Sequence, residues 1–342
     1  MTLLKEDIGG QIVQNIYQHL QIDDKWSITD DRGFTWWGHR LAQRIWADPP
    51  LEDREIPITR VHAETDFFKY PEPTAKIDNF LAEAMIMASL NGYVVHGEKG
   101  RIKLRCNAFI HGENQMWLEK LFGLAAILQI VDAETKVDKI SKMLKLEPDY
   151  SCHPQSGLRK DADDMLNILD QLVIPEGKKP FDRIGEAQFS FVSEFLNNQN
   201  VPSTAGESDL SGYVPFGRDL SLLYVNSDVH PVLGHGILIR LFLPPEDIRS
   251  ILNINGSLVM DMNAIEQKKS LTGHFMGSWC LGSLEKGIEA LVFITFIPAI
   301  ACTPNVFTNM VFSALGHNVW AEGYFFSFEK QDDIEVYRQL PN

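Results

Sequence analysis

The feature that most constrains this chain is that its second half repeats its first. Gly33-Phe34-Thr35-Trp36-Trp37-Gly38 is echoed by Gly212-Tyr213-Val214-Pro215-Phe216-Gly217, 179 positions on, and at the same spacing Leu41 falls on Leu220 and Ile45 on Tyr224. Phe68-Lys69-Tyr70-Pro71-Glu72 is answered by Phe242-Leu243-Pro244-Pro245-Glu246, now 174 apart. Phe109-Ile110 matches Phe296-Ile297 at 187, Ala133-Glu134 matches Ala321-Glu322 at 188, and Ile8-Gly9 returns as Ile184-Gly185. A series of matches in one order, with offsets that drift only by loop-sized steps, points to a duplicated folding unit. At 342 residues the chain is long for a single core and comfortable for two.

Periodicity places the same elements in both copies. In the first, helical spacing predicts helices over 5–21, 74–90 and 114–134, and alternating or branched runs predict strands over 26–29, 34–46, 56–68, 93–97 and 101–110. In the second, helices are expected over 183–198, 246–265 and 305–321, with strands over 210–215, 219–226, 235–243, 272–281 and 288–297. Short turns between consecutive strands imply antiparallel sheets with helices packed on a face. The expected fold class is α+β: two tandem α-β-β-β-α-β-β-α units related by a pseudo-twofold. The units span 1–135 and 181–330, joined by a linker over 136–180 that carries a short helix near 161–172.

The copies differ most in one strand. Arg101, Lys103, Arg105 and Asn107 alternate with apolar residues, as on a strand with one wet face, whereas the positions 187 further on are Ile288, Ala290, Val292 and Ile294. An antiparallel strand apolar on both faces needs two covers. The second cover is another part of this chain, a second copy of it in a homodimer, or a partner protein. Trp36, whose counterpart at 179 is Pro215, is expected on the surface and joins Ile288, Ala290, Val292 and Ile294 as an interface candidate. Trp37, matched to Phe216, is expected in the core.

No motif assembles a catalytic, cofactor or metal site. There is no Walker loop, no G-x-G-x-x-G after a strand, no G-x-S-x-G and no H-E-x-x-H. Asp228, His230 and His235 match no zinc spacing and read as a hairpin loop. His62, Glu64 and Asp66 share one strand face and read as a solvated face. Cys302 reads as inert. Glu134 and Glu322 occupy equivalent positions, so they form either a carboxylate pair across a cleft or a structural contact in each copy. A net charge of −15 disfavours nucleic acid and acidic membranes as partners. No window is long and apolar enough to span a bilayer, no secretory leader is visible, and the scattered cysteines suit a reduced, cytoplasmic protein.

With that element order, and with the aromatic strand at Gly33–Gly38 and Gly212–Gly217, each copy resembles the type III secretion chaperone-like fold, and in particular the YbjN family. The resemblance implies small, acidic, non-enzymatic and often dimeric units, and its secretion chaperones bind extended segments of partner proteins. A tandem copy then corresponds to such a dimer fused into one chain. The expectation is a non-enzymatic protein- or peptide-binding module without cofactor, regulatory or chaperone-like. The alternative is an enzyme or small-ligand binder with a site between the units, built from Glu134, Glu322 or the His230/His235 loop.

Overall fold

Alternation in the first half yields a string of antiparallel strands bracketed by helices. A computed structural model describes residues 8–51, 57–70, 72–87, 89–96, 100–167, 184–250, 252–269, 273–284 and 287–326. The first unit runs α1 (Ile8–His19), β1 (Ser27–Asp30), β2 (Gly33–Trp37), β3 (Ala42–Ala47), β4 (Thr59–Lys69), α2 (Ala75–Ala84), β5 (Tyr93–His96), β6 (Arg101–Ile110) and α3 (Gln115–Leu144). A short β7 (Glu147–Pro148) returns to pair with β4. The second unit runs α4 (Glu186–Asn198), β8 (Ser203–Ala205), β9 (Asp209–Phe216), β10 (Asp219–His230), β11 (Gly234–Phe242), α5 (Pro245–Arg249), α6 (Gly256–Lys269), β12 (Ser278–Ser283), β13 (Glu289–Pro298) and α7 (Pro304–Phe326).

The sheets have the same internal order, β1-β2-β3-β4-β6-β5 in one and β8-β9-β10-β11-β13-β12 in the other, and neighbouring strands in both run antiparallel. The fold is therefore α+β, with two sheet-plus-helix units. The run expected as one strand over 34–46 is β2, a turn and β3, and β8 supplies the matching extra strand in the second unit. Helix α3 continues ten residues past its expected end at 134, because buried Val137 and Ile140 prolong its apolar stripe. It stops at Lys145, which takes a left-handed φ of 57°. The helix expected over 246–265 is broken into α5 and α6. Only a 3-10 turn, Asp164–Asn167, occupies the described part of the linker helix, whose remainder lies outside the described residues.

Sheet register corrects the repeat by one residue at its first match. Ile45 stands between Phe34 and Ala63, and Ala63 beside Cys106; in the second sheet Leu223 stands between Gly212 and Leu241, and Leu241 beside Phe293. The equivalent of Phe34 is thus Gly212, 178 positions on, not Tyr213. A one-residue slip exchanges the two faces of a strand. Trp36 accordingly lies on the helix side, 0% exposed, with its indole N–H donated to Gln43 at 2.9 Å. Its assignment to an interface is corrected: it is core. Trp37 is also buried, but on the opposite face, beneath the linker.

The two units meet edge to edge. Helix α6 lies against α2 and the edge strand β5, while α2 and the turn after it lie against the other edge strand, β12. Each unit thereby covers the open edge of the other, which removes two unpaired strand edges. Asn79 accepts the first amide of α6 from Gly256 at 2.7 Å, and Arg60 donates to the last carbonyls of α6 at Gln267 and Lys268. A Cβ at Gly256 would stand 2.3 Å from the Asp78 backbone, so the approach of α2 to α6 requires glycine. The Asn107 amide donates to Phe275 O at 2.9 Å, carrying the first sheet's ladder onto second-unit chain. Buried residues of both units form one contiguous core.

Candidate functional site: the outer faces of the two sheets

Each sheet has a helix side and an outer side. Gln43 reaches α3 at the Ala126 carbonyl, and Phe293 stacks on His317 of α7 at 3.6 Å, which identifies the helix sides. The outer side of the first sheet is a lattice of ion pairs. Glu64 takes both Lys103 and Arg105, and Lys103 also meets Asp66 at 3.0 Å. Arg60 and His62 share Asp48, each at 2.9 Å, Arg101 meets Asp149 at 3.2 Å, and Arg44 meets Asp30 at 3.4 Å. Burial opposes the charge on Glu64, yet Arg105 and Lys103 hold its carboxyl down at about 2. Burial of His62 lowers the pKa of its imidazole despite Asp48. His62, Glu64 and Asp66 are thus committed to these pairs, and Glu64 is largely enclosed rather than solvated.

Part of this face is also roofed by the chain that follows α3. The Ser151 hydroxyl accepts the Trp37 indole N–H at 2.8 Å, His153 meets the Trp37 ring edge-on at 4.9 Å, and Arg159 donates to the Trp37 carbonyl at 2.8 Å.

The outer side of the second sheet is mostly apolar, with Asp209, Asn226 and Asp228 at one end. Its rows read Tyr213, Leu222, Phe242, Val292, Cys280 and then Ser211, Tyr224, Arg240, Ile294, Ser278 across the strands. The half nearest the first unit is closed within the chain: Ala290, Val292 and Ile294 are 0–1% exposed. Met85, in the turn after α2, meets Ser278, and the Ser89 hydroxyl donates to Phe296 O at 2.7 Å. Of the three covers open to Ala290, Val292 and Ile294, the one found is intrachain, and their place as interface candidates for an external partner is corrected. Ile288 stays exposed, just ahead of β13. The half farther from the junction is open. Tyr213 and Leu220 are half exposed, and Leu222, Tyr224, Leu238 and Phe242 are partly so.

Glu134 and Glu322 do not pair across a cleft. Glu134 accepts the amides of Arg40 and Leu41, each at 2.7 Å, and the Arg40 side chain at 3.2 Å; Glu322 accepts the Gly217 amide at 2.9 Å. Each glutamate of a closing helix secures the turn between the second and third strands of its own unit. His230 uses both ring nitrogens structurally: Nε2 lies 2.9 Å from Met87 O of the first unit, and Nδ1 accepts the Val232 and Leu233 amides of its own turn. No group of His, Cys, Asp or Glu that could hold a metal ion occurs among the described residues. The buried Cys302 thiol is pushed up to about 12.

A cleft of about 520 Å³ opens between the units, with Phe109, His111 and Trp117 on one wall and His274, Phe312 and Ser313 on the other. His274 accepts the Phe109 amide through Nδ1 at 3.1 Å, and burial lowers its pKa to about 4, so the neutral ring carries its proton on Nε2. The Nδ1 of His111 is buried without a hydrogen-bond partner. None of Glu134, Glu322, His230 or His235 lines this cleft.

Two features escaped the sequence reading. Glu266 and His317, 2% and 1% exposed, are joined at 2.7 Å, and Glu266 also accepts the Trp279 indole at 2.5 Å, so a polar knot sits inside the second core. Arg240 sits among apolar side chains of the outer face with no carboxylate within ion-pair distance among the described residues. Its only visible signal is a single cation inside the run Ile237-Leu238-Ile239-Arg240-Leu241-Phe242. No helix among the described residues is long and apolar enough to cross a membrane. Comparison with known proteins returns no matching family model, no matching curated protein and no matching solved structure.

Proposed function

We propose that the protein is a non-enzymatic module of the type III secretion chaperone-like, YbjN-like kind that binds an extended segment of a partner protein, acting in the cytoplasm in a regulatory or chaperone-like role. The observation that carries this reading is the open half of the second sheet's outer face, where Tyr213, Leu220, Leu222, Tyr224 and Phe242 form a continuous apolar surface beside the buried junction. Contiguous exposed apolar surface of this kind marks interaction sites. The shared strand order of the units supports the fused-dimer resemblance. The titratable groups singled out in the sequence are occupied by structural bonds, which favours binding over chemistry.

A peptide array probed with purified protein tests the reading. Wild type is expected to bind a subset of peptides rich in alternating apolar residues, and Leu222→Lys to lose that subset while melting at an unchanged temperature. An array on which the folded variant binds as wild type does would remove this face from consideration.

The inter-unit cleft supports a second reading, a small-molecule site, through the unpartnered Nδ1 of His111. Thermal-shift screening with small heteroaromatic compounds checks it: a shift abolished by His111→Ala supports the site, and no shift with any compound ends it.

A further inference from the structure

Arg240 differs from the cations on the equivalent face of the first sheet. There Arg44, Arg60, Arg101, Lys103 and Arg105 each lie against a carboxylate of the same chain. Arg240 has no carboxylate within ion-pair distance among the described residues. Its guanidinium lies 5.0 Å from the Tyr224 ring centre and 5.8 Å from that of Phe242, and one Nη2 donates to Asn226 at 3.1 Å. Its Nε is buried with no hydrogen-bond partner. A guanidinium offers five donors in a planar fork suited to a carboxylate, and one held between aromatic rings is already oriented. An orphaned donor on such a group is a cost that binding can relieve.

We infer that Arg240 is the specificity-determining residue of the open face, reading an aspartate or glutamate carboxylate of an extended partner segment whose flanking apolar side chains lie on Leu222, Tyr224 and Phe242. This rests on the proposed role of that face and adds the chemistry of what it takes. A peptide carboxylate is the source that fits: alternate side chains of a strand point the same way, so one acidic residue flanked at two-residue spacing by apolar ones matches the sheet's own pitch. The partner is thus an acidic-apolar segment, despite the chain's net charge of −15, because the charge nearest its carboxylate is the guanidinium of Arg240.

Two synthetic peptides of alternating Leu and Thr, with a central Glu in one and Gln in the other, form the probe. Titration by fluorescence anisotropy is expected to show the Glu peptide binding wild type about tenfold tighter, as a charge-assisted hydrogen bond predicts. Arg240→Gln should bind both peptides equally, and Arg240→Lys should keep part of the preference. Equal binding of both peptides to wild type, or a preference that survives Arg240→Gln, overturns the role of Arg240 while leaving the face a binding site. If neither peptide binds and the array is also blank, the face itself is not a peptide site and the inference falls with it. Mass measurement on the free protein is expected to give a monomer; a dimer dissociated by Arg240→Gln would assign the face to a second copy and overturn the peptide.

Discussion

The outer faces of the two sheets occupy the same place in the same strand order and solve opposite problems. In the first unit the face is charged, yet its charges cancel locally: Glu64 between Lys103 and Arg105, Asp48 between Arg60 and His62, Asp149 beside Arg101. In the second the same strand positions are Val292 and Ile294, and the face is partly consumed by docking the first unit. What remains open keeps Arg240, which has no carboxylate within ion-pair distance among the described residues. The difference teaches that two units of one strand order can differ by the chemistry of a single sheet face. One copy's face was made self-sufficient and the other's was left needing contacts, first from its sibling and then, on the reading above, from outside.

The comparison breaks most visibly at the junction. Val292→Lys would bury an ammonium without a partner, and a loss of more than about 4 kcal/mol is expected, enough to abolish cooperative unfolding in a denaturant melt. A well-folded variant would mean that the face is not closed as described. Next in size is Glu64→Gln, which leaves Arg105 without its carboxylate on a largely enclosed face. About 3 kcal/mol of destabilisation is expected in the same assay, and a neutral result would show the lattice to be ornamental.

Acid should loosen the contact at His274. Its pKa is lowered to about 4 in the folded protein, below the ordinary histidine value of about 6.5, so the unfolded chain takes up the proton first. Stability from this group is complete above about pH 6.5 and falls as pH drops towards 4, by about 3 kcal/mol. His274→Asn, whose side-chain oxygen can still accept the Phe109 amide, should flatten that segment of a stability–pH curve. An unchanged slope would place the proton elsewhere. The smallest effect is the most pointed. Arg240→Met keeps the packing on Tyr224 and removes an unpaired cation, so stability should stay within about 0.5 kcal/mol of wild type or rise. A large loss would give Arg240 a structural role and weaken its assignment as a reader of carboxylates.

Much of the architecture was legible locally. The alternation of Arg101 to Asn107, the apolar run at Ala290 to Ile294 and the proline-marked strand ends located the elements, because two-residue and 3.6-residue periods follow from which side of an element meets water. The candidate site was less legible. Trp36 was misplaced because a one-residue slip in matching Gly33–Gly38 to Gly212–Gly217 reverses inside and outside. Glu134 and Glu322 were correctly matched, but their partners are amides of a turn about a hundred residues distant, which no spacing reveals.

By itself the sequence determined that one unit occurs twice, that each is a sheet with helices on it, and that the second sheet carries more apolar surface than one helix layer can cover. Only the tertiary structure decided what covers it, which half stays open, and that Arg240 has no carboxylate within ion-pair distance among the described residues. These depend on which residues distant in the chain become neighbours, and a cation's partner is set by proximity in space that local periodicity does not encode.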